Sequence, residues 1–197
     1  MGLSSPPQRT RSRRSLPSGG NAPERGPLFE ARVLSPVGTL SLVAGGLGLL
    51  RASFDVDEAE FSADLERLYG TAPDYRPDLL AEPMRQFEEY FTRCRTAFAL
   101  DVDLSEYTPF QRDVMEAVMR VPYGTLSSYG AIARGVGRPR AARAVGTIMA
   151  MNPISLVIPC HRIIRSDGSL GRYGVDVQEA IGTAKRMRLL RIEGVEV

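Results

Sequence analysis

Asn152-Pro153-Ile154-Ser155-Leu156-Val157-Ile158-Pro159-Cys160-His161-Arg162-Ile163-Ile164 is the stretch from which the rest of the chain can be read. An apolar run from Ile154 to Ile158 stops at a proline and resumes at Ile163-Ile164, so a thiol, an imidazole and a guanidinium lie between buried flanks. Buried polar groups must be paired or put to chemical use. Cysteine reacts as its thiolate, and a neighbouring base or positive field lowers the cost of forming it. A lone buried cysteine is more often a small hydrophobe. Here the chain's single histidine adjoins Cys160, which favours a nucleophile and leaves the structural alternative open.

Upstream, the sequence is mostly helical. Thr108-Pro109 reads as an N-cap with proline at the first helical position, and Phe110, Val114, Val118 and Val121 make the buried stripe. Pro122-Tyr123-Gly124 breaks that helix. Ser127 or Ser128 then caps a short one (YGAIARGV), Gly135–Pro139 makes a turn, and Arg140 to Met149 forms another. Two short helices joined by a glycine-containing turn suggest a helix-turn-helix. Arg138, Arg140 and Arg143 lie near the start of its second helix, where a recognition helix meets DNA.

Further out, LFEARVL, GTLSLVA and LGLLRASF between Leu28 and Phe54 predict a meander of antiparallel strands. Glu58 to Tyr69 has helical spacing, repeated over Pro83 to Arg93 by Met84, Phe87, Tyr90 and Phe91. A linker is expected near Asp101–Tyr107. Nothing in this half looks catalytic, and Cys94 reads as structural or exposed. Residues 1–26 are poor in apolar side chains and rich in chain breakers, which predicts a disordered basic tail. The organisation expected is therefore a tail (1–26), an α/β domain (27–104) and a mostly helical domain (105–197), an α+β chain.

The 197 residues, 43% hydrophobic, suit one sizeable core or two small ones. No apolar run reaches the roughly 20 residues that span a bilayer, and the polar N-terminus has no apolar signal region. Two cysteines and one histidine supply neither a disulfide framework nor a zinc set, so a reduced intracellular protein with no metal and no cofactor is expected. Charge is segregated. Residues 1–26 carry five Arg against one Glu, 27–107 seven Arg against fifteen acids, and 108–197 thirteen Lys and Arg against seven acids. A basic C-terminal half beside an acidic N-terminal one points to a polyanionic partner.

NPISLVIPCHRII, preceded by PYGTLSSYGAIARGVGRPRAARAVGTIMAMNP, closely resembles the signature of the O6-alkylguanine-DNA alkyltransferases (methylated-DNA–protein-cysteine methyltransferases) from about Tyr107 to Gly194. The N-terminal half resembles the family only in general form, an RNase H-like α/β domain. The resemblance implies DNA repair by irreversible, single-use transfer of an alkyl group from O6 of guanine, with O4-alkylthymine as a further substrate, to Cys160. His161 would deprotonate the thiol through a water, Glu193 would hold His161, and Asn152 would hydrogen-bond near the thiol. Tyr129 would help rotate the nucleotide and donate a proton to the departing guanine. Arg143 would fill the gap left by the extrahelical base, with Arg140, Arg138 and Ser128 on the DNA. It further implies a monomer on double-stranded DNA, approached from the minor groove, with no membrane. The expected location is cytoplasmic and nucleoid-associated, or nuclear in a eukaryote.

The chemistry suits these roles. O6 is hidden in the base stack, so the nucleotide must be flipped out, and an inserted arginine replaces some of the lost stacking. Displacement at a saturated carbon needs a strong nucleophile and a protonated leaving group. The sequence departs from the family in two places. The segment after Gly171-Arg172-Tyr173 is about six residues longer, with Gly174 where serine is common, and Ser155 stands where proline is common. A non-catalytic lesion-binding protein would lack Cys160. A helix-turn-helix regulator would need a dimerisation element and a ligand domain, and a cysteine hydrolase an oxyanion hole; none of these is visible.

Overall fold

In a computed structural model, residues 25–170 and 179–196 are described. The first half is a four-stranded sheet, order β3-β2-β1-β4. Strands β1 (Phe29–Ser35), β2 (Gly38–Gly45) and β3 (Gly48–Phe54) form the antiparallel meander that the alternating sequence predicts. The two-residue β4 (Asp74–Tyr75) adds in parallel to β1, a pairing that is too short and too exposed to leave a sequence pattern.

Helix α1 (Glu58–Tyr69) begins at Asp57, whose carboxylate accepts from the Glu60 N–H, and ends at Gly70 in the left-handed region at φ 77°. Helix α2 (Ala81–Phe91) buries Gln86, Phe87 and Tyr90. Helix α3 (Pro109–Met119) opens on a full capping box between Thr108 and Gln111, with proline at its first position. After it come β5 (Ser127–Ser128) and α4 (Tyr129–Gly135), which Ser128 caps by accepting from the Ala131 N–H at 3.1 Å. Helix α5 (Ala142–Ala150) completes the expected helix-turn-helix, two residues shorter at its start than the sequence pattern suggests. A 3-10 turn (Cys160–Arg162), β6 (Ile163–Ile164) and α6 (Glu179–Ile192) finish the chain. No helix among the described residues is long and apolar enough to cross a membrane.

One core joins both halves. Ala31, Leu42 and Ala52 of the sheet, Phe87 and Tyr90 of α2, Val114 and Val118 of α3, Ile154, Ile158 and Ile163 around the 3-10 turn, and Leu189 of α6 all belong to it. Leu28, Val43, Leu50 and Leu65 form a smaller cluster under α1.

The outer edge of β3 explains this fusion. Sheet edges left open invite foreign strands; here two later segments cover the edge. Leu49 exchanges bonds with the Asp101 carbonyl and the Asp103 N–H, both at 2.9 Å. Three residues on, the Ala52 N–H donates to the Pro153 carbonyl and its own carbonyl accepts from Ser155, again at 2.9 Å. The expected linker is thus packed: Leu104 and Tyr107 are buried, and Arg51 pairs with Glu106 at 2.8 Å. Gly48 at φ 119° is required there, since a Cβ would lie 2.5 Å from the Asp101 carbonyl oxygen.

Arg25 also belongs to the fold. It pairs with the buried Asp103 at 2.5 Å and donates to Ser105 at 2.8 Å. Residues 1–24 of the expected tail, and the departure at Gly171, Arg172, Tyr173 and Gly174, lie outside the described residues.

Candidate active site

Three pieces of backbone bring the site together. The Ala52 bonds pin the segment before the 3-10 turn to the sheet. Between them and the turn, Leu156 adopts φ 74°, a left-handed conformation that a branched residue holds only when its surroundings enforce it. Downstream, β6 pairs in parallel with β5 (Ser127 with Ile163, Ser128 with Ile164), which docks the start of the helix-turn-helix beside the turn. From the C-terminal side, the buried Arg186 of α6 donates to the carbonyls of His161 (3.1 Å), Ile163 and Leu170. Carbonyls otherwise orphaned by the turn are satisfied this way.

Cys160 is buried at the start of that turn. The Asn152 Nδ2 group donates to Sγ at 2.9 Å and to the Ile158 carbonyl at 2.7 Å. The Ile154 N–H donates to Asn152 Oδ1 at 3.1 Å, which fixes the amide's orientation. Asn152 therefore works as a brace across the turn and as a donor aimed at the sulfur.

His161 is fully buried, with Nε2 2.7 Å from Glu193 Oε1. Glu193 also accepts from Tyr90 Oη (2.7 Å), from Arg162 Nε (2.9 Å to Oε2) and Nη2 (2.9 Å), and from the Gly124 N–H (3.1 Å). Burial pushes its carboxyl up, but the hydrogen bonds it accepts from His161, Arg162 and Tyr90 outweigh that and hold it at about 2. Burial drives the His161 imidazole below its ordinary value, against the pull of Glu193. The tautomer follows. A carboxylate only accepts, so Nε2 carries the proton, and in a neutral ring Nδ1 then keeps its lone pair. Nδ1 has no hydrogen-bond partner among the described residues. His161 is thus a neutral base, one residue from Cys160, with its free nitrogen fixed by the opposite one.

Tyr129, the first residue of α4, lies beside the thiol and Arg186. Burial pushes its phenol up, Arg186 pulls it down and Cys160 pushes it up again, with a net rise that leaves it protonated at neutral pH. Gly146 of α5 leaves room for the ring: a Cβ there would touch it at 3.9 Å.

On the outer face, Arg143 sits in the first turn of α5, and Arg138 and Arg140 in the turn before it, all exposed. Among the described residues none of the three guanidinium groups has an ion-pair or hydrogen-bond partner. Ser128 has its hydroxyl committed to the cap.

The structure brings Asn152, Cys160, His161, Glu193 and Tyr129 into one cluster, with Arg138, Arg140 and Arg143 outside it. It adds three members that the sequence motif does not give roles: Tyr90, Arg162 and Arg186. Arg162 stood in the motif as a charge between apolar flanks, which signals a buried partner. Tyr90 was only a member of a buried stripe. Ser155 uses its N–H on Ala52, a bond that a proline at this position would not make.

Similar proteins share this arrangement of halves. Residues 29–104 match the ribonuclease-like domain of 6-O-methylguanine DNA methyltransferase, and residues 109–195 match its DNA-binding domain. The methylated-DNA–protein-cysteine methyltransferase of Methanosarcina acetivorans is 34% identical over 173 residues, covering 85% of this chain and 99% of that protein. That of Mycobacterium leprae is 42% identical over 117 residues, 59% of this chain and 67% of that one. The crystal structure of Mycobacterium tuberculosis O6-methylguanine methyltransferase superposes with a TM-score of 0.69 at 32% identity, covering 84% of this chain and 92% of that one. A structure from the same organism in complex with DNA gives 0.68 at 32% identity over the same shares of each chain. With both halves matched in order and nearly the full length of a relative covered, the chain belongs to the O6-alkylguanine-DNA alkyltransferase (methylated-DNA–protein-cysteine methyltransferase) family.

Proposed function

We propose that this protein repairs DNA by taking the alkyl group from O6 of guanine onto Cys160, once per molecule. The observation that carries the assignment of residues is the chain Asn152–Cys160 and His161–Glu193: a sulfur 2.9 Å from an amide donor, followed by a buried neutral imidazole with one nitrogen locked at 2.7 Å.

His161 Nδ1 takes the Sγ proton through a water, and Asn152 steadies the negative sulfur with its N–H. The sulfur attacks the alkyl carbon, a C–S bond forms, and the C–O6 bond breaks with its electron pair on the guanine. Tyr129 supplies a proton to the departing base, and the Arg186 guanidinium beside it eases the negative charge that it briefly carries. A thioether has no simple acid–base route back, so turnover stops after one event.

The DNA face is the helix-turn-helix. Arg143 enters the space of the flipped nucleotide while Arg138 and Arg140 neutralise phosphates, with Ser128 at the same edge. The approach is from the minor groove, by a monomer. Residues 105–197 carry the chemistry and the DNA contact, and residues 27–104 support them. The protein works where its DNA lies, in the cytoplasm on the nucleoid, or in a nucleus.

Incubation with duplex DNA carrying a radiolabelled O6-methylguanine tests this proposal. One label per protein molecule, on protein and not released, is expected. Catalytic release of label, or none transferred, would overturn it.

A further inference from the structure

Tyr90 belongs to α2, in the half of the chain where no residue type or spacing pointed to chemistry. Its hydroxyl donates to Glu193 Oε1, the same oxygen that receives the His161 Nε2–H, and each bond is 2.7 Å long. The ring is fully buried and clamped by three others: Phe98 stacks at 5.6 Å, and Phe91 and Tyr123 meet it edge-on at 5.4 and 5.9 Å. Aromatic contacts of this kind fix the ring plane and with it the direction of the O–H. A buried phenol needs some acceptor, and a backbone carbonyl is the usual solution; Tyr123 takes that of Ile192 at 2.9 Å. Tyr90 instead reaches across 103 residues of sequence to the oxygen that orients the histidine.

We propose that Tyr90 is a positioning residue for alkyl transfer, contributed by the N-terminal half. Its hydrogen bond fixes the rotation of the Glu193 carboxylate and limits that carboxylate's pull on His161 Nε2–H, so that Nδ1 keeps the orientation and basicity that proton removal from Cys160 needs. This inference rests on the transfer reading given above. The groups facing the Glu193–His161 pair are Tyr90 from α2, Tyr123 and the Gly124 N–H from the turn before β5, Arg162 from the 3-10 turn, and Arg186 from α6. Burial and the Glu193 carboxylate hold the Tyr90 phenol far above its ordinary value, so it donates at every working pH.

The test is the single-turnover transfer rate of the full chain on an O6-methylguanine duplex as a function of pH, with Tm measured alongside. Tyr90→Phe is expected to slow transfer about tenfold, the scale of a lost hydrogen bond to a charged group. Its acid limb should also move to higher pH, because a carboxylate with one donor fewer stabilises the imidazolium more. Tyr123→Phe loses a comparable bond to a carbonyl and should leave the limb in place. In a Glu193→Gln background, Tyr90→Phe should cost nothing further, since its effect runs through the carboxylate. A loss that is uniform across pH with an unmoved limb would overturn the proposal, as would an unchanged rate. If Tyr90→Phe does not fold, 3-fluorotyrosine at the same position keeps the shape and donates more strongly, so the limb should move to lower pH; an unmoved limb overturns the proposal equally. Stoichiometric transfer by the unaltered chain, in the same series, tests the underlying function separately.

Discussion

His161 Nε2 and Glu193 Oε1 lie 2.7 Å apart with both side chains wholly excluded from solvent, so the proton on that nitrogen has a single place to point. Glu193 is at the same time the counter-ion of the buried Arg162, whose Nη1 goes on to the Val121 carbonyl at 2.6 Å. One carboxylate therefore orients the base and neutralises the buried guanidinium beside it.

Glu193→Gln should accordingly fail twice. Removing one member of a buried ion pair costs about 3 kcal/mol because the other charge stays buried, and a neutral amide no longer dictates the His161 tautomer. Chemical denaturation should show the stability loss, and transfer should fall well beyond what the unfolded fraction accounts for. A variant with unchanged transfer would mean that His161 does not depend on Glu193.

Acid should unfold the protein through the same pair. Glu193 titrates at about 2 in the fold against an ordinary 4.5. A depressed carboxyl stabilises above the unfolded value and loses that contribution as pH falls from about 4.5 towards 2, at most about 3 kcal/mol. His161, kept neutral by burial, acts in the same direction, since the unfolded chain takes up a proton below about 6.5 and the folded one resists. Denaturation midpoints between pH 7 and 3 should therefore fall monotonically, and less steeply in Glu193→Gln. A flat profile would contradict the ionisation states assigned here.

Arg143→Ala tests the DNA face. The side chain is exposed and makes no ion pair with the described residues, so stability should change by less than about 0.5 kcal/mol. Base extrusion is worth a few kcal/mol, so repair of a duplex should slow tenfold or more, while transfer from free O6-methylguanine, which needs no flipping, should hardly change. Equal losses on both substrates would place Arg143 in the chemistry instead.

The N-terminal boundary is testable in the same way. Deleting residues 1–24 should leave the transfer rate intact and lower non-specific DNA affinity only at low salt, as counterion release requires. Arg25→Ala should instead destabilise the fold by about 3 kcal/mol, because it strips the partner from the buried Asp103. Loss of repair at saturating DNA on deleting 1–24 would put that segment inside the working protein.

What the sequence made legible was whatever rests on local chemistry. Thr108-Pro109 and the Ser127-Ser128 pair announce their helices because a cap is a neighbouring side chain meeting a neighbouring amide. Cys160, His161 and Asn152 stand within nine residues of one another, so the motif and the site coincide. What stayed illegible depends on contacts across long separations. Strand β4 exists because two exposed residues reach β1. The linker at Asp101–Tyr107 is structured because Leu49 offers it an open edge. Arg25 has no local mark that separates it from the arginines before it; its partners Asp103 and Ser105, 78 and 80 residues away, do so. Tyr90 is the clearest instance: its helical spacing is satisfied by burial alone, and its acceptor lies 103 residues away.

That Cys160 is the alkyl acceptor can be checked by peptide mass spectrometry of the full chain after one reaction with O6-methylguanine duplex. One methyl group per molecule is expected, on the peptide holding Cys160 and none on that holding Cys94. Cys160→Ser should take up no methyl group while still binding the lesion duplex. Methyl on Cys94, or transfer persisting in Cys160→Ser, would contradict it.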